Sequence, residues 1–189
     1  MTKLEIILDE YWNLKDEVFY PFDWDDKDYK PGVNEWQREA HFENKQRLEF
    51  LKGRLKKVPE EGLMAYKEVF LNQLKLLSAL LEKSKNGRKI SRHQALAIDN
   101  AVYARIIMGI KSTLRFANPS VPDLYRTNIE EDMLDVDPLI DILRNFQREL
   151  KSIKNFDFFD LEMIADNLIG AINKQWQEDN KTLKQLQRA

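Results

Sequence analysis

Apolar residues recur three and four positions apart along most of the chain, the period of an amphipathic helix, and strict alternation over strand length is nearly absent. Only Phe156 and Phe158 around Asp157 hint at alternation, over too few residues to count. The first predicted helix covers 3–19, with Leu4, Ile7, Tyr11, Leu14 and Val18 as its stripe and Leu8, Trp12 and Phe19 widening it. The loop 21–32 (PFDWDDKDYKPG) ends it. Asn34 with Gln37 three residues later is a capping-box pattern. It opens a second helix that continues to about Lys57 and stops before Pro59, because the residue before a proline is disfavoured in the helical region.

A third helix is predicted over about 60–86. Leu63, Tyr66, Phe70, Leu74, Leu77 and Leu81 mark one face, and Met64, Val69, Leu71, Leu76 and Leu80 fill much of the rest. Asn86-Gly87 is a C-terminal stop. Ser91 with Gln94 caps a fourth helix that runs to about Ala117, apolar along Ala95, Ile98, Val102 and Ile106 and again along Leu96, Tyr103, Ile107, Ile110 and Leu114. Helices apolar around much of their girth are central ones, so residues 60–117 are expected to form an antiparallel hairpin at the core.

Asp137-Pro138 then joins a capping acid to proline at the first helical position. Leu139, Leu143, Phe146, Leu150 and Ile153 stripe the fifth helix. Asp157 or Asp160 caps the sixth, whose buried face is Leu161, Ile164, Leu168, Ile172 and Trp176. Beyond Trp176 the chain turns polar, and 177–189 is expected either to fray or to serve as a partner-binding helix end. The expected architecture is all-α, one domain over 1–189 built as a bundle of about six helices. Trp12, Trp24 and Trp36 are spaced by twelve, but their neighbours do not match, so they make no repeat.

The 189 residues contain 30 Lys plus Arg, 32 Asp plus Glu and no cysteine. Without cysteine there are no disulfides, thiol nucleophiles or cysteine-type zinc sites. No apolar run approaches the ~20 residues of a membrane span, and MTKLEIILDE interrupts its apolar stretch with acids, unlike a signal peptide. A cytoplasmic protein that engages no membrane is expected. Charge is uneven: residues 1–45 hold 6 basic and 12 acidic side chains, 46–115 hold 15 and 6, and 116–189 hold 9 and 14. Either the acidic ends pair with the basic middle, or the basic turn Lys83, Lys85, Arg88, Lys89 and Arg92 meets a polyanion, with Lys52, Arg54, Lys56 and Lys57 as auxiliaries. No aromatic interleaves the 83–92 turn, so base stacking is not expected there.

Nucleophile elbows, P-loops and dinucleotide fingerprints are missing. His41 and His93 lack the acid three residues earlier that a di-iron bundle needs, and the acidic loop Asp23, Asp25, Asp26, Asp28 fails the EF-hand pattern at its fifth, sixth and twelfth positions. Neither a metal nor a cofactor is expected. Arg88 and His93, in an R-x4-H spacing at a helix start, resemble the motif of the HEPN ribonucleases, helical proteins that cut RNA as dimers; Lys89 stands where that family often has Asn, Asp or His. The resemblance covers two residues and implies an RNase centred on them. Phe22, Trp24 and Tyr29 place aromatics among acids in one loop, and Trp176 adds another anchor for a protein partner. Gly109 and Gly170, inside helical stretches, are expected to mark tight helix crossings.

The leading expectation is a non-catalytic protein–protein interaction or regulatory module that forms a homodimer or binds an unknown protein, of the kind common among bacterial and mobile-element accessory proteins. Nucleic-acid binding through the basic turn is the alternative, and the RNase reading stands third.

Overall fold

The computed structural model describes residues 2–19, 35–84, 106–115 and 137–188. The fold is all-α: the described residues form packed helices, and no strand occurs among them. The helices are α1 (Lys3–Phe19), α2 (Glu35–Leu55), α3 (Glu60–Ser84), α4 (the helical residues 106–115), α5 (Asp137–Ser152) and α6 (Phe158–Arg188). None is long and apolar enough to cross a membrane. By its internal contacts the chain divides into two compact units, Met1–Pro59 and Glu60–Ala189, so the division falls at the proline that follows α2.

Local chemistry accounts for the helix ends. Thr2 and Glu5 form a reciprocal capping box at α1: Thr2 N donates to Glu5 Oε2 at 2.5 Å and Glu5 N donates to Thr2 Oγ1 at 3.2 Å. At α6 the cap is Asp157, not Asp160. Asp157 Oδ1 accepts from the N–H groups of Phe159 (2.8 Å) and Asp160 (3.1 Å), and Asp160 Oδ2 accepts in return from Asp157 N (2.8 Å). Both oxygens satisfy amides that the first helical turn leaves without partners. Asn155, just before this cap, has φ 53°, a left-handed conformation that asparagine tolerates better than most residues.

In the first unit α1 packs against α2. Its buried residues are Leu8, Tyr11 and Trp12 on α1 and Leu48, Leu51 and Leu55 on α2. The stripe of α1 is therefore rotated from the expected Ile7–Tyr11–Leu14–Val18 line toward Leu8 and Trp12, and Ile7, Leu14 and Val18 are only half-buried. Tyr11 and Trp12 meet edge to face at 5.6 Å, and Lys15 Nζ lies 4.8 Å from the Trp12 ring centroid.

The second unit holds the larger set of buried residues. α3 buries Leu63, Tyr66, Phe70, Leu74, Leu77 and Leu81, the full expected stripe. Its other side is less enclosed than expected: Val69 and Leu71 are half-buried, and Met64 and Leu76 are exposed. On α4, Ile106, Ile110 and Leu114 are fully buried, while residues 85–105, with the expected hairpin turn, lie outside the described residues. Among the described residues α3 packs against α5, and α5 also packs against α6.

The α3–α5 contact is keyed by polar groups. Gln147 Nε2 donates to Leu74 O (3.1 Å) and to Ser78 Oγ (2.8 Å), and Arg144 Nη2 reaches Glu82 Oε1 at 2.5 Å. Lys67 Nζ donates to Ile153 O at 2.8 Å and lies 4.9 Å from the Phe156 ring, tying α3 to the α5–α6 connection. α6 buries Leu161, Ile164, Ala165, Leu168 and Ile172 and continues as helix through 177–188.

Gly170 corrects one expectation. A Cβ built on it meets nothing within 4 Å, so no helix crosses closely there. Gly109 is buried on α4.

Candidate functional site

α2 carries its apolar residues in an unusual arrangement. Leu48, Leu51 and Leu55 form a buried stripe, but only in its second half. Trp36, Phe42 and Phe50 lie off that stripe and are 66%, 60% and 54% exposed. Within the helix, Phe42 and Phe50 have no apolar residue three or four positions away, and Trp36 has only Ala40. An aromatic without such neighbours has no ridge to join and stays outside the packed face.

The two halves of α2 differ in charge. In the first half, Glu35, Glu39 and Glu43 recur every four residues, so they line one side of the helix. These glutamates, with Arg38, His41 and Phe42, border a depression of about 760 Å³. The second half is basic. Arg47 and Arg54 stand three residues before and four after Phe50, with guanidinium carbons 5.2 and 5.9 Å from its ring centroid, inside the range of a cation–π contact. Arg47 also holds Glu10 of α1 in a fork: Nε to Oε1 is 2.6 Å and Nη2 to Oε2 is 3.0 Å. That hydrogen bonding from Arg47 keeps the Glu10 carboxyl below its ordinary value, against a partial desolvation and with added attraction from Arg47 and Arg54. Here an acid of the first segment pairs with a base of the middle one, while Arg144–Glu82 runs the other way.

Past Leu55 the backbone closes in a turn. Lys56 N donates to Lys52 O (3.0 Å), Lys57 N to Arg54 O (3.1 Å) and Val58 N to Leu55 O (3.1 Å). The exposed Lys56 and Lys57 therefore sit at the C-terminal end of α2, a turn away from Phe50 and Arg54. Lys52 Nζ is paired with Glu49 at 2.6 Å. Arg54, Lys56 and Lys57 form no salt bridge among the described residues, although Arg54 attracts Glu10 at longer range. Cations near a helix C-terminus complement the macrodipole, which accounts for their placement but not for an exposed aromatic among them.

The residues singled out from the sequence fall differently. Trp176 is half-buried on α6, and Lys83 falls on the last turn of α3. Phe22, Trp24, Tyr29, Lys85, Arg88, Lys89, Arg92 and His93 lie outside the described residues, and with them the ribonuclease-like pair. His41 lies on α2, and no three acidic or histidine side chains gather as a metal site among the described residues. The exposed aromatics of α2 were not singled out by sequence reasoning, although the missing neighbours of Phe42 and Phe50 are readable there. The chain matches no family model, no curated protein and no solved structure.

Proposed function

We propose that this chain is a non-catalytic helical interaction module that docks a partner protein on the first half of α2. The observation that carries this reading is the exposure of Trp36 and Phe42 on a half-helix that buries no residue of its own. Trp is a leading interface anchor and Phe is enriched at interface cores, since each buries a large area with few rotatable bonds. Glu35, Glu39 and Glu43 beside them favour a partner whose contact rim is basic. The module acts as a regulatory accessory protein in the cytoplasm, a setting its cysteine-free composition suits.

The test is a pull-down with the tagged chain, with and without nuclease, comparing wild type with Trp36→Ala/Phe42→Ala. A discrete protein that survives nuclease and is lost with the double variant supports the reading, provided circular dichroism shows unchanged helicity. The same captured set in both samples overturns it. A second copy of the chain as occupant is separated from a foreign partner by sedimentation, where self-association rises with concentration and falls in the double variant.

A further inference from the structure

The basic end of α2 is chemically distinct from the half-helix used above and calls for a different ligand. We infer that it binds single-stranded nucleic acid, with a base stacked on Phe50 and neighbouring phosphates held by Arg54, Lys56 and Lys57. This inference stands independently of the protein-docking reading, because it uses none of the same side chains.

Three observations carry it. First, Phe50 is 54% exposed, and the stripe Leu48, Leu51 and Leu55 that packs its helix points elsewhere. Its ring is partly exposed beside the Arg47 and Arg54 guanidinium groups, and every base offers a π-face to stack on the exposed part, so stacking needs no sequence code. Second, the charge around it is one-sided. Residues 45–57 contain six basic side chains and a single acid, Glu49. Glu49 pairs with Lys52 and Glu10 pairs with Arg47; Arg54 attracts Glu10 without a salt bridge to it, and Lys56 and Lys57 form no salt bridge among the described residues. Third, the geometry interleaves the two features. Arg54 lies against Phe50, one helical turn along the same face, and the turn after Leu55 adds Lys56 and Lys57 at the same end. An aromatic set among cations is the arrangement that grips a strand by base and backbone together.

The ligand class follows from this chemistry. A protein partner rich in apolar groups would leave three cations facing it unpaired, whereas a phosphate backbone supplies their counter-charge at every step. A duplex presents its phosphates but keeps its base faces stacked, so Phe50 would gain nothing from it; unstacked bases of a single strand are open to stacking. The sequence of 83–92, by contrast, offers charge without an aromatic.

The experiment is fluorescence anisotropy of a labelled 12-nucleotide oligouridylate with the full chain, at 50 and 200 mM salt. Binding is expected at the lower salt. Three phosphate contacts on a single strand predict a loss of about 20-fold between the two. Phe50→Ala is expected to weaken binding roughly 5- to 100-fold, the range of one lost base–aromatic stack, while Phe50→Trp keeps it. Lys56→Glu/Lys57→Glu is expected to weaken binding and flatten the salt dependence. Helicity of each variant is checked by circular dichroism, and the Trp and charge variants decide the matter if the Ala variant fails to fold. No binding at 50 mM salt overturns the inference. So does a Phe50→Ala chain that binds like wild type, or a duplex that binds as tightly as the single strand. Binding abolished by charge reversal at Lys85, Arg88 and Lys89 but untouched at Phe50, Lys56 and Lys57 overturns it as well, in favour of the other basic turn.

Discussion

α2 of the first unit and α5 of the second are both strongly charged amphipathic candidates, yet they are held in different ways. α5 buries Leu139, Ile140 and Leu143 near its start and Leu150 near its end, and it packs on α3 and α6. α2 buries Leu48, Leu51 and Leu55 in its second half only and displays three large aromatics. The difference lies in spacing, not in apolar content. In α5 each large apolar residue has another three or four positions away, so the side chains merge into one ridge that a neighbouring helix can cover. Trp36, Phe42 and Phe50 have no such neighbours larger than alanine within their helix, and folding leaves them outside. A helix of 21 residues can thus be packed through one half alone while the other half buries no residue.

The largest effect should come from a pair of phenylalanines that this comparison sets apart. Phe70→Ala, at a fully buried position of α3, is expected to cost about 3–5 kcal/mol, whereas Phe50→Ala should stay within about 0.5 kcal/mol. Urea unfolding of the two variants checks this, and equal losses would break the comparison. Next in size is the α6 cap. Asp157→Ala removes the acceptor of two amides and should cost about 1 kcal/mol, with Asp157→Asn retaining most of it.

Gly53 on α2 and Gly170 on α6 allow one substitution to be compared in both units. Neither has anything within 4 Å of an added Cβ, so Gly→Ala at each should stabilise by up to about 1 kcal/mol, read as a higher melting temperature. A loss at Gly170 would restore the tight crossing expected from its sequence context. The smallest effect concerns Glu10. Its folded-state pKa lies below the ordinary 4.5, so its contribution to stability is present above that value and is lost as pH falls through the lower, folded-state value. Glu10→Gln should therefore lower stability slightly at neutral pH, the loss being small because the pair is exposed to solvent, and leave stability unchanged at acid pH, so that the acid limb becomes shallower.

Much of the helical framework is legible in the primary structure. The spans Lys3–Phe19 and Asp137–Ser152 and the start at Glu60 follow from apolar period, proline placement and capping acids, which also narrow the α6 cap to Asp157 or Asp160. The Thr2–Glu5 box is equally local and readable, and it was not singled out. The rule of missing neighbours goes further. Ile6 and Met64 also have no apolar residue three or four positions away and are also exposed, as Phe42 and Phe50 are. The twelve-residue spacing of the tryptophans, by contrast, says nothing about environment: Trp12 is buried and Trp36 exposed, because the first joins Leu8 in a ridge and the second joins none.

Other features depend on which helices meet. That α5 lies against α3 rests on Gln147 finding Leu74 O and Ser78 Oγ and on Arg144 finding Glu82, partners 62 to 73 residues away in the chain. That the α1 stripe is rotated toward Leu8 and Trp12, that Met64 and Leu76 are exposed on a helix apolar over most of its girth, and that Gly170 faces open space are likewise products of docking. Sequence by itself determined where the described residues are helical and where α1, α2, α3, α5 and α6 begin, because propensity, proline and caps act within a few residues. Only tertiary structure decided which apolar positions are covered and which cations remain unpaired, because burial and ion pairing need a partner surface that no local pattern contains.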